Sequence, residues 1–427
     1  MPLSYRFLVP LLLTLLLAFA SISLADPIHP SANLPQTQPW DLAKLSEAPK
    51  FAWVDADSPV RSLTFTGEEF EGHATRVFAY YATPGSILGD ASLDKDLPAV
   101  VCIHGGGGTA FREWAELWAK RGYAAIAMDL AGSRPIEGKN PHDQKNRTRL
   151  ANGGPYHGDE HKFGHIDDDL HQQWQYHAVA NVILAHSLIR SFPEINKERT
   201  GVTGISWGGY LTCIVAGVDS RFHAAVPVYG CGYLAENSTW LDRFARMTPE
   251  QKQRWVTLWD PKQYLPAVSM PILFVNGTND FAYPLDSYMK SYQAVPDDVH
   301  KQLSITVKMS HGHPAGWNPP QIGHFMDQWL KQGEPLPRVG HPKIQGDQVE
   351  LGYDTASVAK AAIHWTVDDK AVNAHDWKTA EGVVKEDVIL APKPPTDARL
   401  WYMTVTTEDG SLVSTEIIFA DQVSQFD

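Results

Sequence analysis

The sequence predicts an α/β fold with a mostly parallel sheet and helices on both faces, followed by a small all-β module. Three observations predict it. Short apolar runs ending in glycine, aspartate, serine or histidine recur between residues 97 and 312, and such runs suit strands buried on both faces. Helical stretches separate these runs, which is typical of a parallel sheet. Beyond residue 347 the pattern changes to short alternating strands, which indicates antiparallel pairing.

The first 25 residues are predicted to be a secretory signal peptide. Arg6 gives a short positive segment, residues 7–20 are apolar, and Ser23-Leu24-Ala25 offers the small residues of a cleavage site. The apolar run is short for a membrane span, although an uncleaved anchor is the alternative interpretation. We therefore expect a soluble exported protein, secreted or periplasmic, with no membrane contact after cleavage.

The elements of the α/β domain, residues 26–335, follow from local patterns. Residues 26–50 form a proline-containing lead-in, and residues 60–83 alternate as antiparallel strands. The buried strands are expected in LPAVVCIHGG, YAAIAMDLAG, RTGVTGIS, AAVPVYGCG, PILFVNGTND and SITVKMSHG. The helices are expected in AFREWAELWAKRG, in the long and amphipathic DDLHQQWQYHAVANVILAHSLIRS, in GGYLTCIVAGVDSR and in PPQIGHFMDQWLKQG.

Two segments interrupt this alternation. Residues 133–166 form a polar insertion with few apolar residues, and a long loop of this kind in a compact domain is usually functional or disordered. Residues 336–347 are a Pro/Gly-rich linker, and residues 348–427 are predicted to form a β-sandwich-like module. That module either binds carbohydrate or braces the first domain, and we favour the brace.

Composition excludes some classes of function. The formal net charge is −13, and an acidic chain has no long-range attraction for nucleic acid or for an anionic membrane. The cysteines Cys102, Cys213 and Cys231 are odd in number and do not have the spacing of a metal site, so we expect mostly buried free thiols.

The stretch GISWG places Ser206 at a predicted strand-to-helix junction. It fits G-x-S-x-G, in which the serine sits on a sharp turn as a nucleophile. The backbone N–H of Trp207 would stabilise a developing oxyanion there. A second donor is expected from the glycine run after His104, at Gly106 and Gly107, because glycines let backbone N–H groups approach a ligand closely.

The acid and base that a serine nucleophile requires follow later strands. Asp280 comes after one buried run, and both His311 and His313 come after the next. His311 is nearer the strand and precedes a glycine, which favours it, with His313 as the alternative base. Tyr229 could face the pocket or simply pack in the core.

Charged groups in the insertion give weaker predictions. Arg149 could steer a polar substrate or be a solvated charge. His157, His161 and His165 recur every four residues, but neighbouring glycine and proline argue against a helical zinc site. We expect neither a metal ion nor a cofactor.

The segments HGGGG, GISWGGY, FVNGTNDFAYP and MSHGH resemble those of the α/β-hydrolase superfamily. Within it, residues 60–335 are similar to the acetyl xylan esterase, dienelactone hydrolase and prolyl oligopeptidase-like group. The acetyl xylan esterases more often carry G-x-S-Q-G-G, so Trp207 is a departure. Dienelactone hydrolases use cysteine where Ser206 stands, which argues against that activity.

The resemblance implies an exported serine esterase that uses Ser206, His311 and Asp280 through an acyl-enzyme. A carbohydrate ester of the acetyl xylan type is the favoured substrate, either as a small molecule or as a polysaccharide. The first alternative is a serine peptidase of prolyl oligopeptidase type, although only about 70 residues separate Ala25 from the first buried strand. The second alternative is a non-catalytic, degenerate hydrolase that acts as a binding protein.

Overall fold

The structure, a computed structural model, describes residues 26–354 and 358–420. The predicted signal peptide, residues 1–25, lies outside the described residues. Within the part of the chain that is described, no helix has both the length and the apolar character that a membrane crossing requires.

The central sheet begins with antiparallel strands and continues with parallel ones. Its strand order is β1-β2-β3-β5-β4-β8-β9-β10-β11, and every pair from β5 to β11 is parallel. The predicted mostly parallel sheet is therefore confirmed. The strands up to residue 306, including the separate hairpin β6–β7, are β1 (Phe51–Asp55), β2 (Arg61–Phe70), β3 (His73–Ala82), β4 (Leu97–Ile103), β5 (Ala124–Met128), β6 (Ser133–Pro135), β7 (Arg147–Arg149), β8 (Ile195–Ile205), β9 (Ala224–Val228), β10 (Ile272–Gly277) and β11 (Lys301–Thr306).

Helices cover both faces of this sheet, as predicted. Thr200 on β8 contacts His186 at 2.9 Å, whereas a Cβ placed on the next residue, Gly201, would lie 2.7 Å from the sulfur of Met326. Successive residues of a strand point to opposite faces, so these two contacts identify opposite layers. The α-helices are α1 (Leu42–Leu45), α2 (Pro84–Leu88), α3 (Arg112–Lys120), α4 (Trp174–Arg190), α5 (Trp207–Val218), α6 (Leu241–Phe244), α7 (Pro249–Trp259), α8 (Leu285–Ala294), α9 (His313–Trp317) and α10 (Pro320–Leu330).

Helix α4 differs from its prediction. The sequence predicts an amphipathic helix, but every residue of α4 is buried. The lead-in covers its outer face, since the indole N–H of Trp40 donates to the carbonyl of Tyr176 at 2.9 Å and Ser187 donates to the carbonyl of Leu45 at 2.7 Å. A helix enclosed by the sheet and by this lead-in needs no polar face.

The C-terminal strands extend the central sheet. Ser414 pairs with Leu303 on β11, and its hydroxyl accepts from the backbone N–H of Ile305 at 3.2 Å. The edge of the parallel sheet is thus covered, which is consistent with the predicted brace; the sandwich arrangement and the domain boundaries stay predictions. These strands are β12 (Arg338–Val339), β13 (Lys343–Gln345), β14 (Gln348–Asp354), β15 (Val358–Thr366), β16 (Lys378–Val384), β17 (Val388–Pro392), β18 (Leu400–Thr407), β19 (Leu412–Ser414) and β20 (Ile418–Phe419).

Candidate active site

Ser206 sits on a strained turn between β8 and α5. Its φ is 60° and its ψ is −118°, a conformation that non-glycine residues rarely adopt. The turn is over-determined by close backbone contacts. A Cβ on Gly204 would lie 2.1 Å from the carbonyl oxygen of Gly208, and one on Gly208 would lie 1.9 Å from that of Ile103. Only glycine fits at these two positions, so the sequence motif has a steric cause.

His311 connects Ser206 to Asp280. The His311 Nε2 atom is 2.9 Å from Ser206 Oγ, and its Nδ1 atom is 2.6 Å from Asp280 Oδ2. The carboxylate accepts from Nδ1–H, which leaves Nε2 to accept from the serine hydroxyl. Asp280 is buried, and its other oxygen accepts from the backbone N–H groups of Ala282 and Tyr283 at 2.9 and 2.8 Å.

Aromatic rings hold the His311 imidazole in place. Tyr229 stacks on it at a centroid distance of 4.5 Å, and the Tyr229 hydroxyl donates to the carbonyl of Ser310 at 2.7 Å. Phe281 approaches His311 at 4.9 Å and remains 56% exposed. Tyr229 is fully buried beneath His311 and does not line the pocket, so it contacts the imidazole rather than the substrate.

His313, the alternative base in the sequence, contacts a different element. Its Nε2 atom accepts from the backbone N–H of Gly105 at 2.9 Å. Burial lowers the pKa of His313 to about 3, and the neighbouring side chains of His142, His311 and Arg147 act in the same direction. A neutral imidazole is the form that can accept this bond. His313 therefore holds the glycine run after His104 against α9.

The residues that carry the predicted oxyanion donors lie together in one wall of the pocket. Trp207 is the first residue of α5, where helix geometry leaves the backbone N–H without an intrahelical acceptor. A Cβ on Gly106 would lie 2.6 Å from Trp207 Cδ1, so the two residues are in contact. Gly106, Gly107 and Trp207 line the same pocket as Ser206, and the Gly107 carbonyl accepts from Arg147 at 2.5 Å.

The pocket has a volume of about 450 Å³, and the insertion forms one of its walls. Arg149 is not among the lining residues, because its guanidinium donates to the backbone carbonyls of Ala131 and Gly154 and braces the base of the insertion. The insertion contributes Gln144, Tyr156, His157, Gly158, Asp159 and Lys162 to the lining.

The histidines of the insertion do not converge on one point. His161 and His165 stack at 5.2 Å around a short π-helical turn, Glu160–Gly164, and His165 contacts Asp168 at 2.6 Å. Among residues 26–354 and 358–420 no group of three or more His, Cys, Asp or Glu side chains is arranged to hold a metal ion.

Sequence reasoning missed Lys162. This side chain lines the pocket beside Gly106 and Trp207 although the residue is only 4% exposed. Its position inside the polar insertion is the only local signal, and that signal does not separate it from the solvated lysines nearby.

Comparisons with known proteins agree with this architecture. The sequence model of the prolyl oligopeptidase family matches residues 153–332. The chain is 27% identical over 308 residues to the uncharacterized peptidase YuxL of Bacillus subtilis, an alignment that covers 65% of this chain and 40% of the relative. It is 24% identical over 249 residues to the acetyl esterase Axe7A of Xylanibacter ruminicola, covering 55% and 53%. The chain thus spans about half the length of these relatives.

Two solved structures share the fold. Acetyl xylan esterase 1 from Thermoanaerobacterium sp. JW/SL YS485 matches with a TM-score of 0.50 and 20% identity, covering 69% of this chain and 95% of that one. The acetyl xylan esterase from Paenibacillus sp. R4 matches with the same TM-score and identity, covering 66% and 89%.

Proposed function

We propose that the chain is a member of the α/β-hydrolase superfamily and an exported serine esterase acting on carbohydrate esters of the acetyl xylan type. The observation that carries the proposal is the hydrogen-bonded series from Ser206 through His311 to Asp280, with distances of 2.9 and 2.6 Å. A nucleophile, a base and an orienting acid in this order are what acyl transfer through serine requires.

Acylation begins when His311 Nε2 takes the proton of the Ser206 hydroxyl. The Oγ atom then attacks the ester carbonyl carbon, and the carbonyl oxygen becomes an oxyanion. The backbone N–H groups of Trp207 and Gly106 donate to that oxyanion, since both line the pocket beside Ser206. The intermediate collapses, the alcohol leaves with the proton from His311, and the acyl group stays on Ser206.

Deacylation reverses these roles with water in place of the alcohol. His311 takes a proton from a water molecule, the resulting hydroxide attacks the acyl carbon, and Ser206 regains its proton as the acid is released. Asp280 stabilises the imidazolium in both half-reactions, because its carboxylate stays bound to His311 Nδ1.

The shape of the pocket supports a small acyl group on a sugar. A volume of about 450 Å³ lies in the lower part of the range for small-molecule sites. Phe281 stands at the rim beside His311 with 56% of its surface exposed, and an exposed aromatic face suits the apolar face of a pyranose ring. The similarity of the chain to acetyl xylan esterases and to an acetyl esterase supports the same substrate class.

A serine peptidase is the second candidate function. The match to the prolyl oligopeptidase family and the similarity to a peptidase of Bacillus subtilis favour it. The same Ser206, His311 and Asp280 would cleave an amide. The two candidate functions therefore differ in the leaving group and not in the catalytic residues.

Release of acetate from a panel of acetylated polysaccharides tests the esterase proposal. The wild type is compared with Ser206→Ala, and with Ser92→Ala, which changes an exposed serine of the turn Ala91–Leu93. We expect Ser206→Ala alone to lose activity. Equal, measurable rates for all three proteins would overturn the role of Ser206. Absence of any cleavage of esters or of a peptide amide would support the non-catalytic alternative, and cleavage of a peptide amide without cleavage of esters would favour the peptidase.

A further inference from the structure

Lys162 is a buried lysine held between aromatic rings. It lies in the turn Glu160–Gly164, is only 4% exposed, and carries its ammonium 4.6 Å from the ring centre of Trp207 and 5.3 Å from that of Trp174. Lysine is almost never buried to this degree without a partner. The two indole faces stabilise the cation and fix its position.

In the described part of the chain the Lys162 ammonium is not paired with a carboxylate. Among residues 26–354 and 358–420 no atom accepts a hydrogen bond from Nζ, and no carboxylate lies within 4.0 Å of it; the hydrogen bonds of Lys162 are made by its backbone. Asp159, which lines the same pocket, contacts Arg243 at 3.3 Å instead. Burial lowers the pKa of Lys162 to about 8, so the group is still mostly charged at pH 7.

The ammonium lies beside Gly106 and Trp207 in the pocket wall. The position of a Cβ on Gly106 would be 3.2 Å from Lys162 Nζ and 2.6 Å from Trp207 Cδ1, which places the cation beside the proposed oxyanion donors. Lys162 and Ser206 line one pocket. A substrate bound to Ser206 would therefore have an unpaired positive charge within reach.

Few other charges share this pocket wall with Lys162. His157 lines the same wall, and burial together with the nearby Lys162 holds its pKa at about 3, so it is neutral. Arg147 lies behind the glycine run, where it donates to the Gly107 carbonyl, and is not among the lining residues. Among the lining residues Lys162 is the one lysine or arginine, and the one carboxylate, Asp159, is paired with Arg243 at 3.3 Å.

We propose that Lys162 binds a carboxylate carried by the substrate next to the scissile ester, so that the enzyme selects acidic esters. The proposal rests on the esterase function above. A substrate carboxylate would supply the acceptor that the ammonium lacks and would offset the cost of its burial. One ammonium with no neighbouring guanidinium in the lining matches a singly charged group.

Matched ester pairs test the proposal on the full-length protein. On the acyl side, 4-nitrophenyl hemisuccinate is compared with 4-nitrophenyl methyl succinate; on the alcohol side, 3-acetoxybenzoate is compared with its methyl ester. The variants are Lys162→Met, which keeps the length of the side chain without its charge, and Lys162→Arg, which keeps the charge. Lys139→Met removes an exposed charge from the same insertion and is the control.

For the wild type, we expect kcat/KM to favour the anionic member of at least one pair by about tenfold to a hundredfold, the value of a hydrogen bond to a charged group. Lys162→Met should abolish this preference mainly through KM, Lys162→Arg should retain part of it, and Lys139→Met should retain all of it. The pair that responds identifies whether the carboxylate belongs to the acid or to the alcohol.

Three results would overturn the proposal. One is a wild type without preference for either anionic ester; another is a preference that survives in Lys162→Met. The third is an equal loss of kcat on neutral and anionic esters together with a lower Tm for Lys162→Met, because that would indicate a structural or oxyanion role. Removal of an unpaired buried charge should instead leave Tm unchanged or raise it. If the wild type cleaves none of the four esters, the esterase proposal itself fails, which is a distinct result.

Discussion

Replacing His313 tests whether it positions the glycine run or acts as the base. In His313→Leu the backbone N–H of Gly105 loses its acceptor at 2.9 Å. An unpaired buried donor costs about 1–3 kcal/mol. If the whole cost appears in the transition state, because the adjacent Gly106 moves with the loop, kcat falls by a factor of about 5 to 150. Loss of the catalytic base has a far larger effect and lowers kcat by a factor on the order of 10⁴ to 10⁶.

Hydrolysis of 4-nitrophenyl acetate, with circular dichroism to verify folding, measures the difference. His313→Leu should retain activity well above that of His311→Leu, with little change in KM. His313→Gln offers an amide oxygen near the position of the Nε2 atom and should recover most of the rate. If His313→Leu is as inactive as His311→Leu while still folded, His313 takes part in proton transfer and the reasoning is wrong; full activity of His313→Leu would refute the positioning role.

Two further predictions concern stability. Gly208→Ala should not fold, or should lose more than about 3 kcal/mol of its free energy of unfolding, because the new Cβ would lie 1.9 Å from the Ile103 carbonyl oxygen. Gly352→Ala is the control: a Cβ there meets no atom within 4 Å, so the free energy measured by urea unfolding should be nearly unchanged. Burial, and then the nearby Lys162, lower the pKa of His157 to about 3, so the folded state binds a proton less readily than the unfolded state. The contribution of His157 to stability is therefore complete above pH 6.5. Below pH 6.5 that contribution falls by up to about 1.4 kcal/mol per pH unit. Urea unfolding at pH 7.5 and 4.5 should show a smaller loss for His157→Gln than for the wild type, and an equal loss would contradict this.

The parallel sheet and the position of the candidate triad residues at one edge of it could be predicted from the sequence, because both depend on local patterns. Each buried strand is a short apolar run, and parallel strands bring their carboxyl ends to one edge, so Ser206, Asp280 and His311 meet there. The sequence could not decide between His311 and His313, because the two histidines are only two positions apart and both can reach the end of the strand.

Other features escaped prediction because distant contacts determine them. The burial of α4 depends on a lead-in more than 130 residues earlier in the chain. The burial of Lys162 depends on Trp174 and Trp207, which lie outside the insertion. Strand β16 is largely exposed and carries no hydrophobic alternation that would have revealed it.

The attachment of the C-terminal strands to β11 has a consequence for the order of maturation. Asn279, the neighbour of Asp280, donates to the carbonyls of Asn373 and His375 at 3.1 and 2.8 Å, and β11 gains its last partner only when Ser414 is available. During synthesis the chain emerges from its N-terminus, so the turn that carries the acid is anchored last. A chain interrupted before Ser414 would expose β11 as an open edge, able to pair with other chains and aggregate.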